Sequence, residues 1–144
     1  MKILFDTSVL VSAMLEQHSE HESSFKWLVK AHDKEFHWMV CAHSLLELYA
    51  VLTSYPIKPA VAPGTARRLI QENIKKSAEI IELNVEDYFG VINTSVSGGF
   101  TGGAVYNALI FQAAVKSGAD KLLTLNTSDF SRFSNQEKTE IVHP

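Results

Sequence analysis

Short apolar runs alternate with amphipathic stretches along the chain, and this alternation leaves few architectures open. Lys2 to Phe5 reads as a buried strand ending at Asp6, after which Thr7 or Ser8 caps a helix to about Leu15. A helical pattern covers Ser19 to Ala31, where Phe25, Trp27, Leu28 and Ala31 stand among polar residues. Phe36 to Ala42 is rich in aromatic and β-branched residues, as strands are. His43 to Thr53 reads as a helix closed at Tyr55-Pro56, because proline disfavours helical backbone in the residue before it. Pro59 to Gly64 is a loop, Thr65 to Lys76 a polar-faced helix, and Glu79 to Leu83 a strand. Asn84 caps a helix over Val85 to Val96. Gly98-Gly99 and Gly102-Gly103 bracket a loop before Ala104 to Lys116, a helix apolar nearly all round and therefore expected to be buried. Lys121 to Leu125 is a strand, Asn126 to Asp129 a turn, and Glu140 to Val142 a last strand.

Strands alternating with helices predict a three-layer α/β/α sandwich around a central, mainly parallel sheet. The 144 residues suit one domain spanning 1–144. In such sheets ligands bind beyond the carboxyl ends of the strands. Asp6 after the first strand, and Asn126 with Asp129 after the fourth, are thus expected on one edge.

The formal net charge of −3 argues against a protein that coats nucleic acid by bulk charge, but leaves room for a local phosphate-binding patch. The single cysteine, Cys41, lies in an apolar run and reads as a buried structural thiol, which suits a reducing cytoplasm. No stretch approaches the ~18 apolar residues of a membrane span. The opening Ile3-Leu4-Phe5-Asp6 is too short and too acidic for a signal peptide.

Three polar side chains interrupt apolar runs. Asp6 ends the first strand, Glu47 stands in Leu45-Leu46-Glu47-Leu48-Tyr49, and Asn107 stands in Val105-Tyr106-Asn107-Ala108-Leu109. A buried carboxylate neutralises, pairs or holds a metal. No lysine or arginine lies within a helical turn of Glu47, so an ion pair needs a distant partner such as Arg67. Converging carboxylates repel each other, and a hard divalent cation relieves that repulsion; oxygen ligands select Mg²⁺, Mn²⁺ or Ca²⁺ over zinc.

Taken together these segments resemble the PIN-domain family, and within it the VapC-type toxins. The resemblance lies in Asp6-Thr7-Ser8-Val9-Leu10, Ser44 to Leu52 around Glu47, Gly102-Gly103 through Ile110 around Asn107, and Lys121 to Asn126 followed by Asp129-Phe130. It runs over essentially the whole chain, in order. It implies a metal-dependent endoribonuclease using Mg²⁺ or Mn²⁺, the toxin of a toxin–antitoxin pair. A cognate antitoxin, an RNA substrate and a homodimer follow as expected partners. On this resemblance Asp6, Glu47, Asn107 and Asp129 form the catalytic and metal-holding set, with Ser8, Thr124 and Asn126 at the rim. Hydrolysis by an activated water leaves 5′-phosphate ends.

Asn107 stands where the family usually has an aspartate, and Asn126 where many relatives have one. An amide oxygen coordinates a hard cation without adding charge, which weakens Mg²⁺ binding and activity. Asn107 reads either as drift toward an inactive binder or as a near-isosteric silencing change. The rest of its helix keeps the family pattern, which favours the second. A catalytically degenerate PIN domain serving as a binding module is the competing function. A phosphatase using Asp6 as nucleophile is disfavoured, because Ser8 stands where a second aspartate belongs. Plainer roles compete at single residues. Asp6 and His43 suit helix caps, Asp129 a turn, His18 and His21 a solvated face, and Arg67-Arg68 with Lys75-Lys76 a wet helix face or a phosphate contact. Phe25, Trp27, Phe36 and Trp38 suit the core or an oligomer interface.

Overall fold

Among the described residues five parallel strands form one sheet in the order β3-β2-β1-β4-β5. They are β1 (Lys2–Phe5), β2 (His37–Cys41), β3 (Glu79–Ile81), β4 (Lys121–Leu123) and β5 (Glu140–Val142). The helices are α1 (Thr7–Met14), α2 (His21–His32), α3 (Ala42–Ser54), α4 (Pro63–Ile70), α5 (Val85–Gly98), α6 (Ala104–Ser117) and α7 (Thr127–Phe130). This computed structural model describes residues 1–133 and 138–144.

Side chains alternate across the pleat, and the alternation sorts the core into two layers. Ile3, Phe5, Trp38, Val40 and Leu123 face a layer built on Leu10, Leu28, Leu48, Ala66 and Ile74 from α1 to α4 and the turn after α4. Leu4, Met39, Cys41, Ile81 and Leu122 face the other layer, where Val91, Leu109, Ile110 and Phe130 come from α5, α6 and α7. The expected three-layer sandwich is therefore present, with every pairing parallel.

Two helix ends show why the chain breaks where it does. Asn84 accepts from the Asp87 amide while the Asp87 carboxylate accepts from the Asn84 amide, a reciprocal cap that starts α5. Gly118, at φ +65°, ends α6 in the left-handed region that glycine occupies without strain.

The departures from expectation are local. The third and fourth strands stop at Ile81 and Leu123, two residues early, because the chain peels away toward α5 and α7. The segment after the fourth strand is a one-turn helix rather than a plain turn. The helix from Pro63 runs into a π-helical turn at Gln71–Lys75. Of the four aromatics, Phe36 and Trp38 are core and Phe25 is exposed. Among the described residues no helix is long and apolar enough to cross a membrane.

Candidate metal centre and active site

Register brings the site together. Phe5 is level with Val40 on one side and Leu123 on the other, so β1, β2 and β4 end side by side. The strand order reverses at β1, with β2 and β3 to one side and β4 and β5 to the other. The crevice at such a reversal is where ligands bind in open α/β sheets. Asp6 and Thr124 lie in it, each directly after its strand.

Asp6 is fixed from several directions. Its amide donates to the Leu123 carbonyl at 2.9 Å, which extends the β1–β4 pairing into the site. One carboxylate oxygen, Oδ1, accepts from the Thr7 amide at 2.8 Å, so Asp6 does cap α1. The other, Oδ2, accepts from Ser8 Oγ at 2.7 Å and Thr124 Oγ1 at 2.8 Å. Backbone amides orient both hydroxyls. Leu125 N donates to Ser8 Oγ at 3.1 Å and Asn126 N to Thr124 Oγ1 at 3.0 Å, which leaves the hydroxyl protons to point at the acid. Asp6 is only 5 % exposed. Burial outweighs all these donors and holds its pKa above the ordinary carboxylate value.

Glu47 approaches from α3. Its pKa is also raised, first by burial and then by the charge of Asp6, so the two acids lie near enough to feel each other's charge. The side chain is 39 % exposed, not buried as the apolar run around it suggests, because it stands at the rim where α3 leaves the sheet. Its partner is His43, one turn earlier, with Nε2 at 3.3 Å from Oε2. His43 is therefore no helix cap; Cys41 holds the cap position of α3, and without a side-chain bond. Arg67 forms no ion pair with Glu47. Among the described residues the buried Thr7 hydroxyl has no partner at full hydrogen-bond geometry, yet it lies near enough to Glu47 to favour its charged form.

Asn107 and Asp129 meet elsewhere. Both line a cavity of about 280 Å³ with Gly103, Ala104, Phe100, Phe133 and Arg132. Asp129 is exposed on α7, and Asn126 is exposed at its start, where its side chain makes no cap. The guanidinium of Arg132 lies 5.2 Å from the centroid of the Phe100 ring. A parallel stack of His43 on Tyr106 ties the first turn of α3 to that of α6, and so links the two halves. His18 and His21 are not simply solvated: His18 Nδ1 accepts from the Glu20 amide and His21 Nδ1 bonds the Ser12 carbonyl.

The residues present fit a hard divalent cation. The charge of Asp6 raises the cost of ionising Glu47, and a cation between them would reverse that cost. The Thr7 hydroxyl, close to Glu47, offers a further oxygen. Among the described residues no three His, Cys, Asp or Glu side chains stand close enough to share one ion. Such a cation would rest on two carboxylates and neutral oxygens.

Sequence reasoning set His43 one turn from Glu47 but preferred a cap role for it, and it missed site roles for Thr7, Tyr106 and Arg132. The His43–Glu47 spacing of four residues was a legible signal for a helical pair. The other three depend on tertiary convergence.

The PIN domain profile matches residues 3–136. Ribonuclease VapC40 of Mycobacterium tuberculosis is 34% identical over 119 residues, 83% of this chain and 82% of that protein. Among solved structures, Mycobacterium tuberculosis VapC20, a sarcin–ricin loop cleaving toxin, aligns with TM-score 0.73 at 12% identity over 91% of this chain and 95% of that one. The VapBC2 structure from Rickettsia felis, bound to a promoter DNA fragment, gives 0.67 at 17% identity over 100% and 99%. FitAcB from Neisseria gonorrhoeae gives 0.61 at 16% identity over 96% and 95%. These structures share the fold, and the match over nearly the whole length assigns the family: the chain belongs to the PIN-domain family.

Proposed function

We propose that the chain is a divalent-cation-dependent endoribonuclease, the toxin of a toxin–antitoxin pair. The carrying observation is the buried Asp6, gripped by Ser8 and Thr124 at the sheet's reversal point, with Glu47 near enough to feel its charge. The likeness to Ribonuclease VapC40 over most of both chains supports RNA as the substrate class.

Mg²⁺ or Mn²⁺ would rest on Asp6 and Glu47, with Thr7 adding a neutral oxygen and Asn107 standing next to the Tyr106 that stacks on His43, and would supply positive charge against the scissile phosphate and an activated water. Asp6 cannot rotate, because both its oxygens are already engaged. His43 keeps Glu47 aimed at the site and favours its charged form. Arg132 anchors a flanking phosphate at the mouth of the Asn107–Asp129 cavity. Water adds to phosphorus as the bond to the leaving 3′-oxygen breaks, so the products carry a 5′-phosphate and a 3′-hydroxyl. Cyclic 2′,3′-phosphate ends would refute this route.

Neighbours solved with antitoxins support an antitoxin partner that covers the acidic cleft. A homodimer is supported by Val85, Tyr88, Phe89, Ile92 and Val96, an exposed apolar stripe on α5.

A second reading, a degenerate binding module, is favoured by Asn107 alone. One assay separates the two. The chain and Asn107→Asp are incubated with structured RNA and Mn²⁺ or Mg²⁺, and Asp6→Ala in the Asn107→Asp background controls for contaminating nuclease. The expected result is cutting by Asn107→Asp, slower cutting by the chain itself, and none by the control. Silence in both, with no metal binding, decides for the binding module.

A further inference from the structure

Tyr106 stands on the first turn of α6, one residue before Asn107, and is 54% exposed. Its ring lies parallel to the His43 imidazole, with 5.1 Å between centroids and 7° between planes. His43 is itself held against Glu47. One face of the tyrosine is thus covered and its orientation fixed, while the remaining surface meets solvent at the lip of the acidic cleft. No other large apolar side chain of α6 is exposed, so the ring is not part of a continuous apolar patch on that helix. The core has no need of it.

We propose that Tyr106 is a stacking platform for an unpaired nucleobase beside the scissile phosphodiester, an assignment that rests on the RNA-cleaving reading above. RNA is a polyanion, and the chain carries a net charge of −3 with two acids in the cleft. Bulk charge therefore gives the strand no grip, and uncharged contacts have to add to the few local ones such as Arg132. Base–aromatic stacking is such a contact, and it tolerates any base because every base has a π-face. Enzymes and binding modules that read single-stranded RNA use splayed bases laid on aromatic rings in this way. The His43 stack orders the ring before substrate arrives, so less freedom is lost on binding. A protein partner needs a broader apolar patch, which α5 carries and α6 does not.

The test pairs protein variants with base-deleted substrates. Cleavage of single-stranded oligoribonucleotides is compared for the chain, Tyr106→Leu and Tyr106→Phe, with thermal melts to confirm folding. Tyr106→Leu is expected to lower kcat/KM roughly 5- to 150-fold, the range that one stacked base is worth. Tyr106→Phe, which keeps the ring, is expected to rescue most of that loss. An abasic nucleotide at one position near the cut is expected to remove the difference between the chain and Tyr106→Leu. A 2-aminopurine at the same position, with the RNA bound in chelator and uncut, is expected to be quenched by the chain and not by Tyr106→Leu. If the chain cuts RNA but Tyr106→Leu cuts equally well, the platform is refuted and the ribonuclease reading stands. The platform is likewise refuted if Tyr106→Leu only weakens self-association or antitoxin binding, which makes the ring a protein contact. If the chain neither cuts nor quenches the labelled RNA, both readings fall.

Discussion

Thr124→Val tests the grip on Asp6 with almost no change in shape. Thr124 is fully buried, and its hydroxyl donates to Asp6 Oδ2 at 2.8 Å while accepting from the Asn126 amide at 3.0 Å. A hydrogen bond to a charged group contributes about 1.5–3 kcal/mol. For 144 residues the entropy of unfolding makes that loss about 5–10 °C in Tm. The sign of the pH dependence follows from Asp6. Its pKa is raised in the folded chain, so its contribution to stability is complete below the unfolded value and is lost as pH rises through the raised one. Thr124 is one of the groups that limit this loss, because it favours the charged form. Removing it deepens the loss above the folded pKa and matters little where Asp6 is protonated in both states. Thermal and urea unfolding in chelator, from pH 4 to pH 8, should therefore show a stability gap that opens as pH rises. A gap of equal size at both ends would refute the argument and make Thr124 a packing residue only.

Other outcomes follow from the same geometry. Mn²⁺ or Mg²⁺ should raise Tm for the chain and more for Asn107→Asp, with little effect on Asp6→Ala; differential scanning fluorimetry reads this, and a rise in Asp6→Ala equal to that of the chain would place the cation elsewhere. Cation affinity should fall as pH drops through the raised pKa values of Asp6 and Glu47, which calorimetric titrations across pH can follow. His43→Ala should move that fall to higher pH, because His43 is among the groups that favour ionised Glu47. Leu4→Ala, at a fully buried position of the central strand, should cost about 2–5 kcal/mol by urea unfolding, as cavity-forming core changes do.

Much of the frame was legible because burial imposes a period. The alternation of Ile3, Leu4 and Phe5 between two layers is the pleat written in side chains. Asp6 stood out because no apolar strand ends on an acid without reason. Glu47 stood out for the same reason, yet its rim position was hidden, since a helical run of leucines does not reveal where the sheet stops covering it. The pairing of His43 with Glu47 was visible in spacing but competed with the histidine's place at the helix start. Arg132 had no local signal. It meets Asn107 only because α6 and the segment after α7 pack on the same side of the sheet. The short fourth strand was also opaque: Thr124-Leu125 has strand propensity, but the hydroxyl of Thr124 is drawn to Asp6 and the chain turns away.

The bond between Thr124 and Asp6 joins residues 118 positions apart. During synthesis the strand that seats the acid follows it by about 6–24 s at ordinary elongation rates. Until β4 slides in beside β1, Asp6 lacks both the Leu123 carbonyl that fixes its backbone and the Thr124 hydroxyl that fixes its side chain. A polypeptide stalled before that point carries the Asp6 carboxylate without its mount. The reversed strand order thus ties the cleft to a late event in the chain's own assembly, since Asp6 is seated only once β4 has been made and paired with β1.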